Sequence, residues 1–175
     1  MNVALVVANV LELLALLLQI LCVGLPYWYG KSPLYYGLFE TCASVNGDNY
    51  VCRSYAAGGS AQPEWLGATA GLEVIVLALV FFALVAGSCA MCCMVYDAVL
   101  YVIAAILALF AALTGTVALI VFGAKFGDDN AWDGSHLHAS FYIAIFATLF
   151  TLIAGIVYIV AKPKSAVKSF EQFDD

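Results

Sequence analysis

Charge is what this sequence has least of. Lys, Arg, Asp and Glu make up 10% of the 175 residues, where an average soluble domain holds about a quarter. Basic residues are scarcest, six against twelve acids, for a net charge of −6. Nucleic-acid binding needs clustered Lys and Arg opposite phosphate. Half of the basic residues here, Lys162, Lys164 and Lys168, lie near the C-terminus. Chemistry-bearing constellations are also missing. There is no nucleophile–base set, no Gly-rich phosphate loop and no metal-binding triad, so neither an enzyme nor a cofactor or metal site is expected. No Asn-x-Ser/Thr acceptor occurs, so N-glycosylation is not expected.

Apolar residues fill the space that charge leaves. They make up 65% of the chain, and the mean hydropathy is +1.02. A soluble fold of this size cannot hide that much apolar surface, but lipid can. Four runs each reach the roughly 20 residues a helix needs to cross a bilayer core of about 30 Å. They cover about residues 3–25, 65–91, 98–122 and 138–161. The fold class read from this is a membrane protein, mainly α, with residues 1–175 forming a single four-span domain. The first run is too long for a signal-peptide core and lacks a basic leader, so it is expected to remain as a span.

The lysines at 162, 164 and 168 follow the fourth run closely, which predicts a cytoplasmic tail. With four spans the N-terminus is then cytoplasmic too. Residues 26–64 and 123–137 become extracellular loops, while 88–97 and 162–175 face the cytoplasm. The six cysteines divide accordingly. Cys42 and Cys52 lie in the first loop, in oxidising space if it is outside, and are expected to pair. The alternative is two unpaired buried thiols. Cys89, Cys92 and Cys93 end the second run at the cytoplasmic face. They are candidates for S-acylation, with free thiols as the alternative. Cys89-x-x-Cys92 has a zinc-like spacing without a second ligand pair nearby.

The first loop reads as β structure. Residues 35–42 alternate around aromatic and β-branched side chains, which predicts one strand. Asn46-Gly47 is a strong hairpin signal, and Tyr50-Val51-Cys52-Arg53-Ser54-Tyr55 returns as a second strand. The disulfide would staple the two near the turn. Ala57-Gly58-Gly59-Ser60-Ala61 then reads as a flexible link. Trp28 and Trp65 flank the loop where membrane-interface aromatics belong.

Those residues carry a resemblance. Leu25-Pro26-x-Trp28, then Gly37-Leu38-Phe39-x-x-Cys42, then Cys52, resembles the claudin signature within the wider tetraspan superfamily that includes peripheral-myelin proteins and channel gamma-type subunits. Ala139-Ser140-Phe141-Tyr142 is similar to the small-residue and Tyr start of the family's fourth span. The resemblance implies a left-handed four-helix bundle carrying a small extracellular antiparallel β-sheet, formed by loop 1 and completed by loop 2. It also implies self-association within one plasma membrane and across the intercellular gap, giving a paracellular barrier or pore at cell–cell junctions. Pro26, Trp28, Gly37, Leu38, Phe39, Cys42 and Cys52 map onto the structural motif. Two departures stand out. Phe39 replaces the family's Trp, and the chain ends in Phe173-Asp174-Asp175, where Asp175 does not suit the apolar pocket of a PDZ scaffold. Alternative functions are an auxiliary subunit of an ion channel or receptor, or a myelin- or epithelial-membrane-type tetraspan.

The remaining features have packing explanations. Ala104, Ala108, Ala111, Gly115 and Ala118 share a face of the third run, as small residues do where helices pack in lipid. Gly67 and Gly71 read the same way on the second. Glu12 and Glu73 are intramembrane acids. Glu12 is expected to bond Thr148 or Thr151 at matching depth, and Glu73 to meet polar groups under the loop-1 sheet. His136 and His138 are expected in a solvated loop, with Ser135 capping the next helix. Glu40, Asp48, Glu64, Asp128, Asp129 and Asp133 outnumber the loop bases Lys31, Arg53 and Lys125. Any pore lined by these loops should therefore favour cations weakly.

Overall fold

A backbone surrounded by apolar matter must bond to itself, and a helix does so within one segment. The long runs of Leu, Ala, Val and Ile accordingly become four helices. A computed structural model describes residues 3–45, 49–55, 63–92, 97–128 and 136–161, with the backbone alone at 97, 98 and 128. Helix α1 spans Val3–Gly24, α2 Glu64–Cys92, α3 Asp97–Asp128 and α4 Ala139–Ala161. All four are long and apolar enough to cross a membrane, with mean hydropathies of 2.4 to 2.7. The shortest has 22 residues, or about 33 Å at 1.5 Å per residue. The chain is a multi-pass membrane protein on these grounds. Each helix packs on two others, α1 on α2, α2 on α3, α3 on α4 and α4 on α1.

The bundle is small inside and large outside. Ala8, Ala15, Ala83, Ala104, Ala108, Ala111 and Ala154 are fully buried, while Ile106, Leu113, Ile120 and Val160 are 60–75% exposed. Water would penalise such an exterior, whereas lipid does not. Helices in lipid associate by close packing of small side chains, which is what this interior supplies. Gly115 is buried on the predicted face, where an added Cβ would lie 2.8 Å from Thr148 Oγ1. The second run differs from expectation. Gly71 points outward with nothing within 4 Å of an added Cβ, and Gly67 is only partly buried. On α2 the packing stripe is instead Val76, Val80, Ala83, Ala86, Gly87 and Ala90.

Strand β1 spans Tyr29–Lys31, β2 Leu34–Tyr36, β3 Glu40–Val45, β4 Asn49–Ser54 and β5 His136–Leu137. They form an antiparallel sheet in the order β4-β3-β2-β1-β5. The single strand expected over residues 35–42 is two strands. Tyr36 pairs with Thr41, and the Gly37 amide donates to the Glu40 carbonyl at 2.8 Å, so the chain reverses within Gly37-Leu38-Phe39-Glu40. The reversal needs a glycine for room, because a Cβ on Gly37 would lie 2.6 Å from Pro26 Cα. Strand β1, unforeseen in the sequence, joins β2 through Ser32-Pro33, whose peptide is cis. Helix α3 runs six residues past its expected end, because Phe126 stacks back on Phe122 and packs on Tyr29. The second loop is correspondingly shorter. The Asn46-Gly47 turn, the 57–61 link, Cys93, Ser135 and the lysines at 162, 164 and 168 lie outside the described residues.

Gly37→Ala is expected to cost about 1–3 kcal/mol through overpacking, and Gly71→Ala to stay within about 0.5 kcal/mol of the parent. Unfolding midpoints of both variants in one detergent check this. The opposite ranking would remove the close-approach account of the turn.

Candidate functional site: a braced sheet on an aromatic seat

Trp28 and Tyr29 follow the last turn of α1 by a few residues, and both are fully buried. Trp28 is held by backbone. Its indole Nε1 donates to the Cys22 carbonyl at 2.7 Å, one of the carbonyls a helix C-terminus leaves unpaired. Its own amide donates to Tyr36 of β2, and its carbonyl accepts from His138. One residue therefore joins α1, the sheet and the start of α4.

Phe122 of α3 completes the anchor. Its ring centroid lies 5.0 Å from Trp28, 5.3 Å from Phe141, 5.6 Å from Trp65 and 5.9 Å from Tyr29. Tyr29 in turn stacks on Tyr36 at 4.9 Å. Such offset and tilted pairs each contribute about 0.5–1.5 kcal/mol beyond their burial. Trp65 is thus more than an interface anchor, since its partly buried ring packs on Tyr29 and Phe122. Ser140 adds a polar tie, its amide donating to Tyr27 and its hydroxyl to the Leu25 carbonyl at 3.4 Å. Phe122 was only the last residue of an apolar run in the sequence. The sequence offers only an aromatic repeated at 122 and 126, one turn apart, which does not mark it as a hub.

Away from the seat the sheet is braced by its disulfide. Cys42 and Cys52 are directly opposite in β3 and β4 and are bonded to each other. Glu40 lies beside the two sulfurs. Both sulfurs are committed, so the three residues are not a metal-ligand set. Tyr35 packs on Tyr27, Tyr50 and His138 over the Cys42 face. His138 is therefore only partly exposed rather than solvated, while His136 is exposed. Of the motif residues, Leu38 is 1% exposed and Phe39 is 44% exposed. Phe39 is not a core residue. It sits in the β2–β3 reversal, where its carbonyl accepts from Tyr55 at 3.1 Å and its ring faces outward.

The other face opens into a cavity of about 390 Å³ lined by Leu34, Thr41, Ala43, Val51, Arg53 and Tyr55, among others. Thr41 donates to the Tyr55 hydroxyl at 2.8 Å. Burial pushes the Tyr55 phenol up, and the Thr41 hydrogen bond works against that. Side chains alternate between faces along a strand, so Glu40 lies on the opposite face from Arg53. Of the other loop acids, Glu64 is an exposed residue in the first turn of α2. Asp48, Asp129 and Asp133, and the side chain of Asp128, lie outside the described residues. Strand β4 is the outermost strand on its side among the described residues, and all six of its residues are exposed.

Neither intramembrane acid meets the partner expected of it. Thr148 and Thr151 give their hydroxyls to the carbonyls of Ala144 and Ala147, one turn back in their own helix. Neither carboxyl oxygen of Glu12 has a partner among the described residues. Glu73 meets α1 rather than the sheet, its Oε2 accepting from Gln19 Nε2. Cys89 and Cys92 are exposed near the end of α2. Searches against protein-family models and curated protein sequences find no match to this chain.

Trp28→Phe keeps the ring and loses the indole donor. A lost hydrogen bond of this kind costs about 1–3 kcal/mol when its buried acceptor is left unpaired. The expected outcome is a lower unfolding midpoint with the Cys42–Cys52 disulfide still formed, checked by thermal unfolding with thiol quantification. An unchanged midpoint would mean the indole bond does not fasten the sheet.

Proposed function

We propose that this chain is a claudin-like membrane protein of cell–cell contacts, which self-associates through its sheet to form a paracellular barrier or a weakly cation-preferring pore. The observation that carries the reading is a sheet braced by a disulfide, whose outer strand has no strand partner on its far side among the described residues. An exposed edge is a template for pairing with another chain unless it is covered. Strand β4 is such an edge; its Val51 is 53% exposed, and Val45 of β3 and Leu34 of β2 are 44% and 42% exposed. The disulfide and the aromatic seat hold that edge in one shape, which lowers the ordering entropy lost on association. The order of Pro26, Trp28, Gly37, Leu38, Cys42 and Cys52 adds the family resemblance.

In this reading the sheet stands outside the cell, as the lysines at 162, 164 and 168 suggest, and the opposite end of the bundle faces the cytoplasm. The net acidity of the loops favours cations near the surface. Arg53, on the open face, works locally against that preference. Paired within one membrane and across the gap, such sheets would line or seal the space between cells.

The edge can be tested without breaking the sheet. Cys42 and Cys52 have Cα atoms 4.0 Å apart, the close spacing of a pair that does not exchange backbone hydrogen bonds. Ser54, two residues on, therefore turns its amide outward, away from β3. Proline there removes an outward donor and is tolerated on an edge strand. In cells lacking junctions, the parent protein is expected to gather into strands at contacts. Ser54→Pro should reach the surface with its disulfide formed and remain diffuse. A parent protein that stays diffuse and redistributes only with a co-expressed channel would support the auxiliary-subunit alternative instead.

A further inference from the structure

The lower half of the bundle, away from the sheet, encloses polar atoms that the protein itself does not pair. Glu12 of α1 and Tyr158 of α4 are both fully buried. Among the described residues, Glu12 Oε1, Glu12 Oε2 and the Tyr158 hydroxyl have no hydrogen-bond partner. The two residues lie close enough for Glu12 to act electrostatically on the Tyr158 hydroxyl. Space for that hydroxyl comes from Gly87 of α2. A Cβ at Gly87 would collide with it and would lie 2.9 Å from Asn9 Oδ1. Asn9 lies near the same glycine, three residues before Glu12 on one helix face. Its Nδ2 donates to the Leu5 carbonyl at 3.0 Å, and its Oδ1 accepts from Ser88 at 3.3 Å.

Buried polar groups in native proteins are almost always paired. No Lys, Arg or His occurs in the described parts of α1, α2 or α4 to pair with a carboxylate. A neutral Glu12 is then a donor through its O–H and an acceptor through its C=O. Tyr158 is a second donor. Asn9 Oδ1 keeps a free lone pair beyond the one Ser88 uses. Two donors and two acceptors in this layer of the bundle match the bonding capacity of one water molecule. We propose that Glu12, Tyr158 and Asn9 form an internal water-binding site that bridges α1 to α4 beside Gly87. Water accepts from Glu12 and Tyr158, and donates to Asn9 Oδ1 and to the Glu12 carbonyl oxygen. Buried waters typically make two to four such bonds. A hard divalent cation takes at least six oxygen ligands, more than this pocket turns inward. Asn9 is six residues from the first described residue of α1, roughly 9 Å at the helical rise.

The test is infrared spectroscopy of the full chain in lipid nanodiscs, comparing H₂¹⁶O with H₂¹⁸O. The parent protein is expected to show a sharp internal-water O–H band that shifts on isotope exchange. Tyr158→Phe and Glu12→Leu should each lose or displace it, while Glu12→Gln, which keeps a donor and an acceptor, should retain it. Disulfide formation and an unfolding midpoint establish that each variant folds. Tyr158→Phe removes one oxygen atom and carries the test if Glu12→Leu does not fold. A spectrum without an isotope-sensitive band common to the parent and Glu12→Gln and altered in Tyr158→Phe overturns the proposal. Loss of the band when sodium is exchanged for N-methylglucamine also overturns it, and assigns the pocket to a cation.

Discussion

Phe122 stands where the helix bundle meets the sheet, and its ring touches residues from every layer around it. Trp28 and Tyr29 reach it from the segment leaving α1, Trp65 from the start of α2 and Phe141 from the start of α4. Pairs made through one shared ring are not independent, and neighbouring groups of this kind couple energetically. The sheet is too small to bury a core of its own. Its apolar side is completed by this seat, and β1, β2 and β5 are the strands that reach it. Strands β3 and β4 project beyond, where the disulfide takes over. The result is a fixed surface at one end of a bundle whose exterior is made for lipid.

The two halves of the bundle differ. Near the sheet, large rings and backbone hydrogen bonds from Trp28 and Ser140 join the helices. Away from it, alanines pack closely around Tyr158, Asn9 and Glu12. Between them Ala15, Val76, Val80 and Ala111 form an apolar cluster. That layer separates Glu12 from the Gln19–Glu73 pair, so the two acids sit in separate layers. The Gln19–Glu73 bond is a polar tie inside a bundle, where close packing otherwise does the joining.

The helices were legible because the constraint that makes them is local. A bilayer of fixed thickness demands a run of fixed length, and hydropathy shows it. The Cys42–Cys52 pair was legible because both cysteines lie in one loop around a turn signal. The strand plan was only partly legible. Alternation from Tyr35 to Cys42 hides a reversal, since Leu38 and Phe39 suit a strand and only the approach to Pro26 explains Gly37. Strand β1 is three residues long and carries no periodicity. Matching Glu12 to threonines by depth failed because Thr hydroxyls in helices bond readily to the carbonyl one turn back. Phe122 was invisible as a hub because its partners come from three distant segments.

The central claim is that sheet and bundle form one cooperative unit fastened at Phe122. Hydrogen–deuterium exchange on Phe122→Ala tests it most directly, because the substitution leaves the disulfide and every strand residue intact. Truncating a buried Phe typically costs about 3–5 kcal/mol. The account predicts faster exchange across β1 and β2 together with the ends of α1 and α4 that contact Trp28, while the Cys42–Cys52 bond stays formed. Unchanged protection in β1 and β2, with loss confined to α3, would contradict it and make the sheet a unit that stands without its seat.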